Sequence, residues 1–146
     1  MFRGRCIPAE LAVLSMELRH GESGVWLNSR GTKSGVVDLV PSDTDAVGSY
    51  RTCRVPLPTF VSKTLARMYG AAGVRKGVPD LVIWDAQTNG VRFVEVKCPH
   101  WDQTSDEQNL FLLVAKSLGI PASIVEWEFR AAQPGAATGT PKAVRP

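Results

Sequence analysis

The sequence lacks the features that define several large classes of protein. Its three cysteines, Cys6, Cys53 and Cys98, are odd in number and show no C-x-x-C spacing, so neither a closed disulfide framework nor a zinc site is indicated. No apolar run approaches the length of a membrane span, which is about 20 residues, and residues 1–8 lack the apolar core of a signal peptide. These absences predict an intracellular protein without a membrane-spanning segment.

A large charge of one sign is also missing. The 146 residues carry 17 Lys and Arg against 14 Asp and Glu, a formal net charge of +3, which permits phosphate binding without requiring it. The hydrophobic fraction of 44% and the charged fraction of 21% are ordinary for a globular protein. This length predicts one domain at residues 1–130, followed by a disordered tail at 131–146 that is rich in Ala, Gly, Pro and Thr.

Residues 77–97, GVPDLVIWDAQTNGVRFVEVK, carry the clearest structural pattern. A Gly-Val-Pro turn and Asp80 precede the apolar run Leu81–Trp84, which has the length and composition of a buried strand. The Asn-Gly pair at 89–90 is a strong turn signal, and Val91–Lys97 then alternates between two faces. The stretch is therefore predicted to form a β-hairpin.

The expected pairing of these two strands brings two carboxylates together. If residues 85–90 form the connection, Trp84 pairs with Val91, and counting outward places Asp80 opposite Glu95. Directly paired side chains have Cβ atoms roughly 4.5–5.5 Å apart, and like charges at such positions are destabilising. The arrangement is unfavourable for stability alone, which indicates that a cation accompanies it.

A divalent cation would remove this repulsion. Mg²⁺ is typically held by one or two carboxylates, which predicts Asp80 and Glu95 as ligands, with the backbone carbonyl of Val96 as a further one. Lys97 lies about 7 Å beyond Glu95 on the same face, where its ammonium can orient a water or stabilise charge on a phosphate. The pattern indicates metal-assisted hydrolysis of phosphodiesters.

The alternative interpretation places the same residues on the surface. Asp80 could be a loop acid after Pro79, and Glu95 and Lys97 could form the exposed face of an edge strand. An isolated Glu-x-Lys would favour that alternative. The combination of Pro-Asp, a hairpin-length gap and Glu-x-Lys in an apolar setting favours the catalytic interpretation.

A helix is predicted over Pro8–Arg19, and it contains two carboxylates in an unusual place. Glu10 and Glu17 project inside its apolar arc, where an uncompensated negative charge is unfavourable. One of them is expected to have a cation nearby. The other interpretation is that both reach solvent at the rim of the helix face.

The remaining segments complete the predicted architecture. We expect a strand at 24–28, a helix at 59–69, a helix from Ser105 to Leu118 and a strand at 122–129, with residues 41–58 irregular. The helix that begins near Ser105 carries the capping-box pattern Ser105-x-x-Gln108. Together with the hairpin, this order predicts an α/β domain with a mixed central β-sheet flanked by helices.

Five cations are candidates for contact with a nucleic-acid backbone. Arg67, Arg75 and Lys76 cluster just before the hairpin, and phosphate contacts supply most sequence-independent affinity for DNA. Arg30 and Lys33 lie in a polar loop that could also touch phosphate. Ordinary surface charge is the alternative for each of these residues.

At these motifs the sequence resembles a known family. Pro79-Asp80 followed by Glu95-Val96-Lys97 resembles the PD-(D/E)XK nuclease superfamily. More narrowly, GVPDLVIW, FVEVKCP and Ser105-x-x-Gln108 resemble the VRR-NUC group, which includes the nuclease domain of the Fanconi-anaemia-associated nuclease and small standalone phage and bacterial enzymes. The resemblance covers about residues 77–127. Residues 100–103 form a connection one residue longer than is usual, so no role is carried over there.

The resemblance implies a restriction-endonuclease-like fold and a structure-selective DNA nuclease that depends on Mg²⁺ or Mn²⁺. It implies Asp80, Glu95 and Lys97 as catalytic residues, and Gln108 as a supporting residue near the attacking water, which is compatible with a capping role. Related nucleases often contribute a glutamate from an N-terminal helix to the metal site, and Glu10 matches that pattern better than Glu17.

The physiological substrate stays open at this point. A dimeric enzyme could resolve Holliday junctions, because two-fold symmetry presents two active sites to two strands, whereas a monomer would suit flaps or nicked ends. A non-cleaving DNA-binding or accessory module of a larger complex is a further alternative. The expected location is the cytoplasm of a prokaryote or a phage-infected cell, or the nucleus if the source is eukaryotic or viral.

Overall fold

The computed structural model of this chain describes residues 8–27, 39–40, 51–52, 56–74, 76–100 and 102–128. These residues contain three helices and six strands. The helices are α1 (Ala9–Glu17), α2 (Thr59–Ala72) and α3 (Asp106–Ser117). The strands are β1 (Glu22–Trp26), β2 (Leu39–Val40), β3 (Arg51–Thr52), β4 (Leu81–Asp85), β5 (Gly90–Lys97) and β6 (Ala122–Glu126).

The main sheet is mixed, as predicted. Its strand order is β1-β4-β5-β6, in which β4 pairs antiparallel with β1 and β5, and β6 pairs parallel with β5. The β4–β5 register aligns Trp84 with Val91 and Leu81 with Val94, so the hairpin pairing expected from the sequence is confirmed. Asn89 adopts a positive φ of 55° in the turn, a conformation that asparagine tolerates.

Two hydrophobic clusters cover the two faces of this sheet. On one face, Leu81 and Val94 are buried with the α1 residues Leu11 and Leu14. On the other face, buried side chains of the hairpin pack against buried side chains of α2 and α3. The hairpin contributes Val82, Trp84 and Phe93, and the helices contribute Leu65, Met68 and Phe111. Because side chains alternate between faces, Glu95 shares the face of Phe93 and is directed towards the α2 and α3 side.

Several element boundaries differ from the sequence-based expectation. The strand predicted at 24–28 lies at 22–26. The stretch at 41–58, which was expected to be irregular, contains a two-residue strand, β3, which pairs with β2. The strand β6 is shorter than expected, and its apolar residue Ile124 is 36% exposed. The predicted tail at 131–146 lies outside the described residues. None of the helices in the described ranges is long and apolar enough to cross a membrane.

Candidate active site

Three charged side chains meet where β4 begins and β5 ends. Asp80 directly precedes β4, and its Oδ2 accepts a hydrogen bond from the backbone N–H of Val96 at 2.9 Å. Continuing the β4–β5 register by one residue places Asp80 opposite Glu95, as the sequence predicts. Glu95 and Lys97 are 1% and 7% exposed on β5, which lies between two other strands. The alternative of an exposed edge-strand face is therefore wrong.

The ammonium of Lys97 has a complete set of acceptors. Its Nζ lies 2.9 Å from Glu95 Oε1, 3.0 Å from Gln108 Oε1 and 3.1 Å from Asp102 Oδ1. An ammonium carries three N–H donors, so each can meet one of these oxygens. The side chain of Lys97 is therefore held in one position at the end of β5.

Gln108 links this cluster to the start of α3. Its Nε2 donates a hydrogen bond to Glu95 Oε1, while its Oε1 accepts from Lys97 Nζ and from the backbone N–H of Ser105. The Ser105 Oγ in turn accepts from the backbone N–H of Gln108 at 3.2 Å, which completes a capping box. The capping role predicted for Gln108 is thus present, and the same side chain contacts Glu95 and Lys97. Its predicted role near an attacking water stays a prediction.

Gly77 sets how closely the segment before Asp80 approaches α3. It has a φ of +80°, and a Cβ placed on it would lie 2.5 Å from the carbonyl carbon of Glu107 and 2.7 Å from the backbone nitrogen of Gln108. Both the backbone conformation and the short distance require glycine. The glycine of the GVPD motif therefore allows the turn to rest against the helix that carries Gln108.

Gly77→Ala is expected to lower the free energy of unfolding by about 2–4 kcal/mol, because it combines a left-handed backbone with a clash against helix backbone. Relief of the clash should also displace Gln108 from Glu95 and Lys97. Gly70→Ala in α2 is the matched control, because a Cβ there meets nothing within 4 Å and alanine favours helix by up to about 1 kcal/mol. Denaturant unfolding of both variants would contradict this account if their stabilities were equal.

The site carries an excess of negative charge. Burial, the charge of Glu95 and the charge of Glu10 raise the pKa of Asp80 to about 7, against the opposing hydrogen bond from Val96 and the charge of Lys97. Burial also raises the pKa of Glu95, and its hydrogen bond and ion pair with Lys97 offset this only in part. Burial lowers the pKa of Lys97, but the contacts with Glu95 and Asp102 outweigh it and the net change is upward.

The two helical glutamates occupy different surroundings. Glu17 Oε2 lies 3.2 Å from Arg92 Nη1, and Arg92 also forms an ion pair with Glu22 at 2.8 Å. Arg92 is therefore the cation that was expected near either Glu10 or Glu17. The charge of Glu10 contributes to the raised pKa of Asp80. Within the described ranges, however, no group of three or more His, Cys, Asp or Glu side chains is arranged to hold a metal ion. A role for Glu10 as a metal ligand stays a prediction.

The candidate DNA-contacting cations are only partly described. Arg67 is exposed on α2, and Lys76 is exposed directly before Gly77. Arg30, Lys33 and Arg75 lie outside the described residues. Contact of these residues with DNA stays a prediction.

Asp102 is a member of the cluster that sequence reasoning missed. It lies in the connection between β5 and α3, within the segment that is longer than the usual family pattern, so no motif assigned it a role. Its Oδ1 contacts the ammonium of Lys97, and its charge contributes to the raised pKa of Glu95. The available signal was an acid close in sequence to the Glu-x-Lys motif, but loop conformation decides whether such an acid reaches the site.

Comparison with known proteins identifies the family of this hairpin and its flanking elements. The family model for the VRR-NUC domain matches residues 49–127. A Fanconi-associated nuclease 1 homolog from Caenorhabditis elegans is 34% identical over 110 residues, which cover 74% of this chain and 11% of that protein. The chain therefore spans about a tenth of the length of this relative. Asp80, Glu95, Lys97 and Gln108 all fall inside the matched family region, whereas Glu10 falls outside it.

Proposed function

Because this chain belongs to the VRR-NUC family of nucleases and has an α/β fold of the PD-(D/E)XK type, we propose that it is a metal-dependent, structure-selective DNA endonuclease. The observation that carries this proposal is the pair of acids Asp80 and Glu95 beside Lys97, with Glu95 buried. Since its substrate is DNA, we propose an intracellular location.

The side chains present suit a divalent cation. Glu95 Oε2 is buried and has no hydrogen-bond partner among the described residues, so one carboxylate oxygen is free to bind a ligand. Leaving such an oxygen unpaired is costly. Burial and the charge of Glu95 raise the pKa of Asp80, which supports the need for added positive charge when both acids are ionised. Mg²⁺ and Mn²⁺ prefer carboxylate and carbonyl oxygens, which supports either ion as the cofactor.

The carbonyl of Val96 is the third proposed ligand. The N–H and C=O of one strand residue point to the same side, and the N–H of Val96 is taken by Asp80. Continuing the β4–β5 register places Pro79 opposite Val96, and proline has no N–H to donate to that carbonyl. The proline of the motif therefore favours a carbonyl oxygen that is available beside Asp80. We propose that Glu10 adds negative charge that favours a cation at Asp80.

Each residue of the cluster has a distinct role in the proposed reaction. A divalent cation bound at Asp80, Glu95 and Val96 would activate the attacking water and neutralise phosphate charge. Lys97 orients that water or stabilises negative charge that develops on the phosphate oxygens. Gln108 holds both Glu95 and Lys97, so the start of α3 fixes the geometry of the acid and the ammonium.

Cleavage of a panel of end-labelled DNAs tests this proposal. The purified protein is mixed with linear duplex, single strand, 5′ flap and four-way junction, each with Mg²⁺, Mn²⁺ or EDTA. We expect metal-dependent cutting with a preference for a branched or flapped DNA. Binding without cutting in any metal would instead support the non-cleaving accessory module.

Within the nuclease proposal, the oligomeric state separates the two candidate substrates. An apolar groove lies between α3 and β6, and in it Leu113 is 64% exposed and Ile124 is 36% exposed. Exposed apolar surface of this kind supports association with a second copy of the chain. Lys116 and Glu126 also line it, and these opposite charges are complementary under two-fold symmetry. A dimer by light scattering would support a Holliday-junction resolvase, whereas a monomer would support a flap nuclease.

A further inference from the structure

We infer that Asp102 occupies, on the ammonium of Lys97, the position that a DNA phosphate oxygen takes when the substrate binds. Asp102 thus accepts from the third donor of the ammonium in the absence of DNA and is displaced by the backbone of the substrate. This inference rests on the proposed function, because it requires DNA to reach Lys97.

The three acceptors around Lys97 differ in how easily they can be replaced. Glu95 is buried in the middle of the sheet, and Gln108 is tied into the capping box of α3. Asp102 has a side chain that is 53% exposed and lies in the connection between β5 and α3. Since all three donors of the ammonium already meet an oxygen, a phosphate must displace one of them, and Asp102 is the acceptor that can leave without breaking the sheet or the helix cap.

The chemistry of Asp102 matches that of the group expected to replace it. Carboxylate and phosphate oxygens are both anionic acceptors that form charge-assisted hydrogen bonds with an ammonium. The backbone N–H of Asp102 donates to the carbonyl of Cys98 at 2.9 Å, which closes the loop and keeps the acid beside the end of β5. Its exposure also means that it faces the solvent side from which DNA approaches.

The charge of Asp102 opposes DNA binding as long as it remains beside Lys97. It adds a negative charge on the side of Lys97 that faces solvent, where it also acts on Glu95. A carboxylate and a phosphate about 4 Å apart in water repel with an energy equivalent to about a fivefold change in affinity. Replacing Asp102 with asparagine should therefore tighten DNA binding by about fivefold. Lys97 should keep its position in that variant, because Glu95 and Gln108 still hold it.

Fluorescence anisotropy of a labelled 5′-flap duplex in EDTA measures this effect without cleavage. Asp102→Asn is compared with wild type and with Asp106→Asn, which removes the same charge four residues further on, at an exposed position in the first turn of α3. Asp102→Glu retains the charge and should bind like wild type. We expect tighter binding for Asp102→Asn alone, and in metal a lower KM with little change in kcat.

Three results would overturn the inference. Equal tightening in Asp102→Asn and Asp106→Asn would mean a general charge effect, whereas unchanged or weaker binding of Asp102→Asn would mean that Asp102 does not compete with phosphate. A fall in kcat at constant KM would mean that Asp102 assists the reaction. If Asp102→Asn is poorly folded by thermal melting, Asp102→Ser is measured in its place with the same expectation.

The binding experiment also separates this inference from the proposed function. If wild type binds DNA but never cleaves it, the enzymatic proposal fails, while the affinity of Asp102→Asn still decides the competition with phosphate. If wild type cleaves DNA and the affinity of Asp102→Asn equals that of wild type, the inference alone fails.

Discussion

Asp80→Asn is expected to be more stable than wild type in EDTA, although it removes a proposed metal ligand. Burial and neighbouring acids raise the pKa of Asp80 from 3.8 to about 7, so its ionised form is disfavoured in the folded protein. Asparagine keeps the shape and an oxygen that accepts from Val96, but it carries no charge. We expect a gain of roughly 2–4 kcal/mol in the free energy of unfolding at about pH 8.

The pH dependence of stability should change in the same variant. Between the ordinary pKa of 3.8 and the folded value of about 7, folded Asp80 keeps a proton that the unfolded chain has lost. Wild-type stability therefore falls as pH rises through that window, and the raised pKa of Glu95 acts in the same direction. Asp80→Asn should lose less stability across this range.

Asp85→Asn provides the matched control for this prediction. Asp85 lies at the other end of β4, where it accepts hydrogen bonds from the backbone N–H of Gln87 and from Thr88 Oγ1. Denaturant unfolding at several pH values should give Asp85→Asn the wild-type pH profile. A less stable Asp80→Asn at about pH 8 in EDTA would contradict the electrostatic account.

Lys97→Met is expected to be less stable than wild type and to cleave DNA more slowly. It leaves Glu95, which is 1% exposed, without the ammonium at 2.9 Å. Removing one partner of a buried ion pair costs about 3–5 kcal/mol, and we expect a loss of this size in EDTA. Cleavage should fall by at least about 100-fold, the cost of removing one donor that stabilises developing charge.

Addition of Mn²⁺ should recover part of the stability lost in Lys97→Met, because a bound cation replaces the missing positive charge beside Glu95. Lys63→Met is the matched control, since Lys63 is exposed on α2 and its replacement should change stability by less than about 0.5 kcal/mol. Wild-type stability and cleavage in Lys97→Met would show that the ion pair and the proposed role of Lys97 are both wrong.

The hairpin could be predicted from the sequence because its determinants are local. The Asn-Gly turn fixes the connection, and the period-two alternation fixes which residues share a face, so the positions of Asp80, Glu95 and Lys97 follow by counting. Gln108 could be placed for a similar reason, because a capping box specifies the first turn of a helix.

Contacts between distant segments could not be predicted in this way. Arg92 neutralises Glu17 and Glu22 from a strand far along the chain, and only the folded sheet brings them together. The contact between Asp102 and Lys97 depends on the conformation of a loop, for which the sequence carries no periodic signal. Exposure of Ile124 likewise reflects the edge position of β6, which depends on strand order.

Single-turnover cleavage of the labelled 5′-flap duplex by wild type, Asp80→Asn and Asp85→Asn, with Mn²⁺ or EDTA, tests the central claim most directly. We predict that wild type and Asp85→Asn cut the DNA only with metal, and that Asp80→Asn is slower by at least about 100-fold while remaining folded. Cutting by Asp80→Asn at the wild-type rate, or equal cutting by wild type in EDTA, would contradict the proposal that Asp80 and Glu95 hold a catalytic cation.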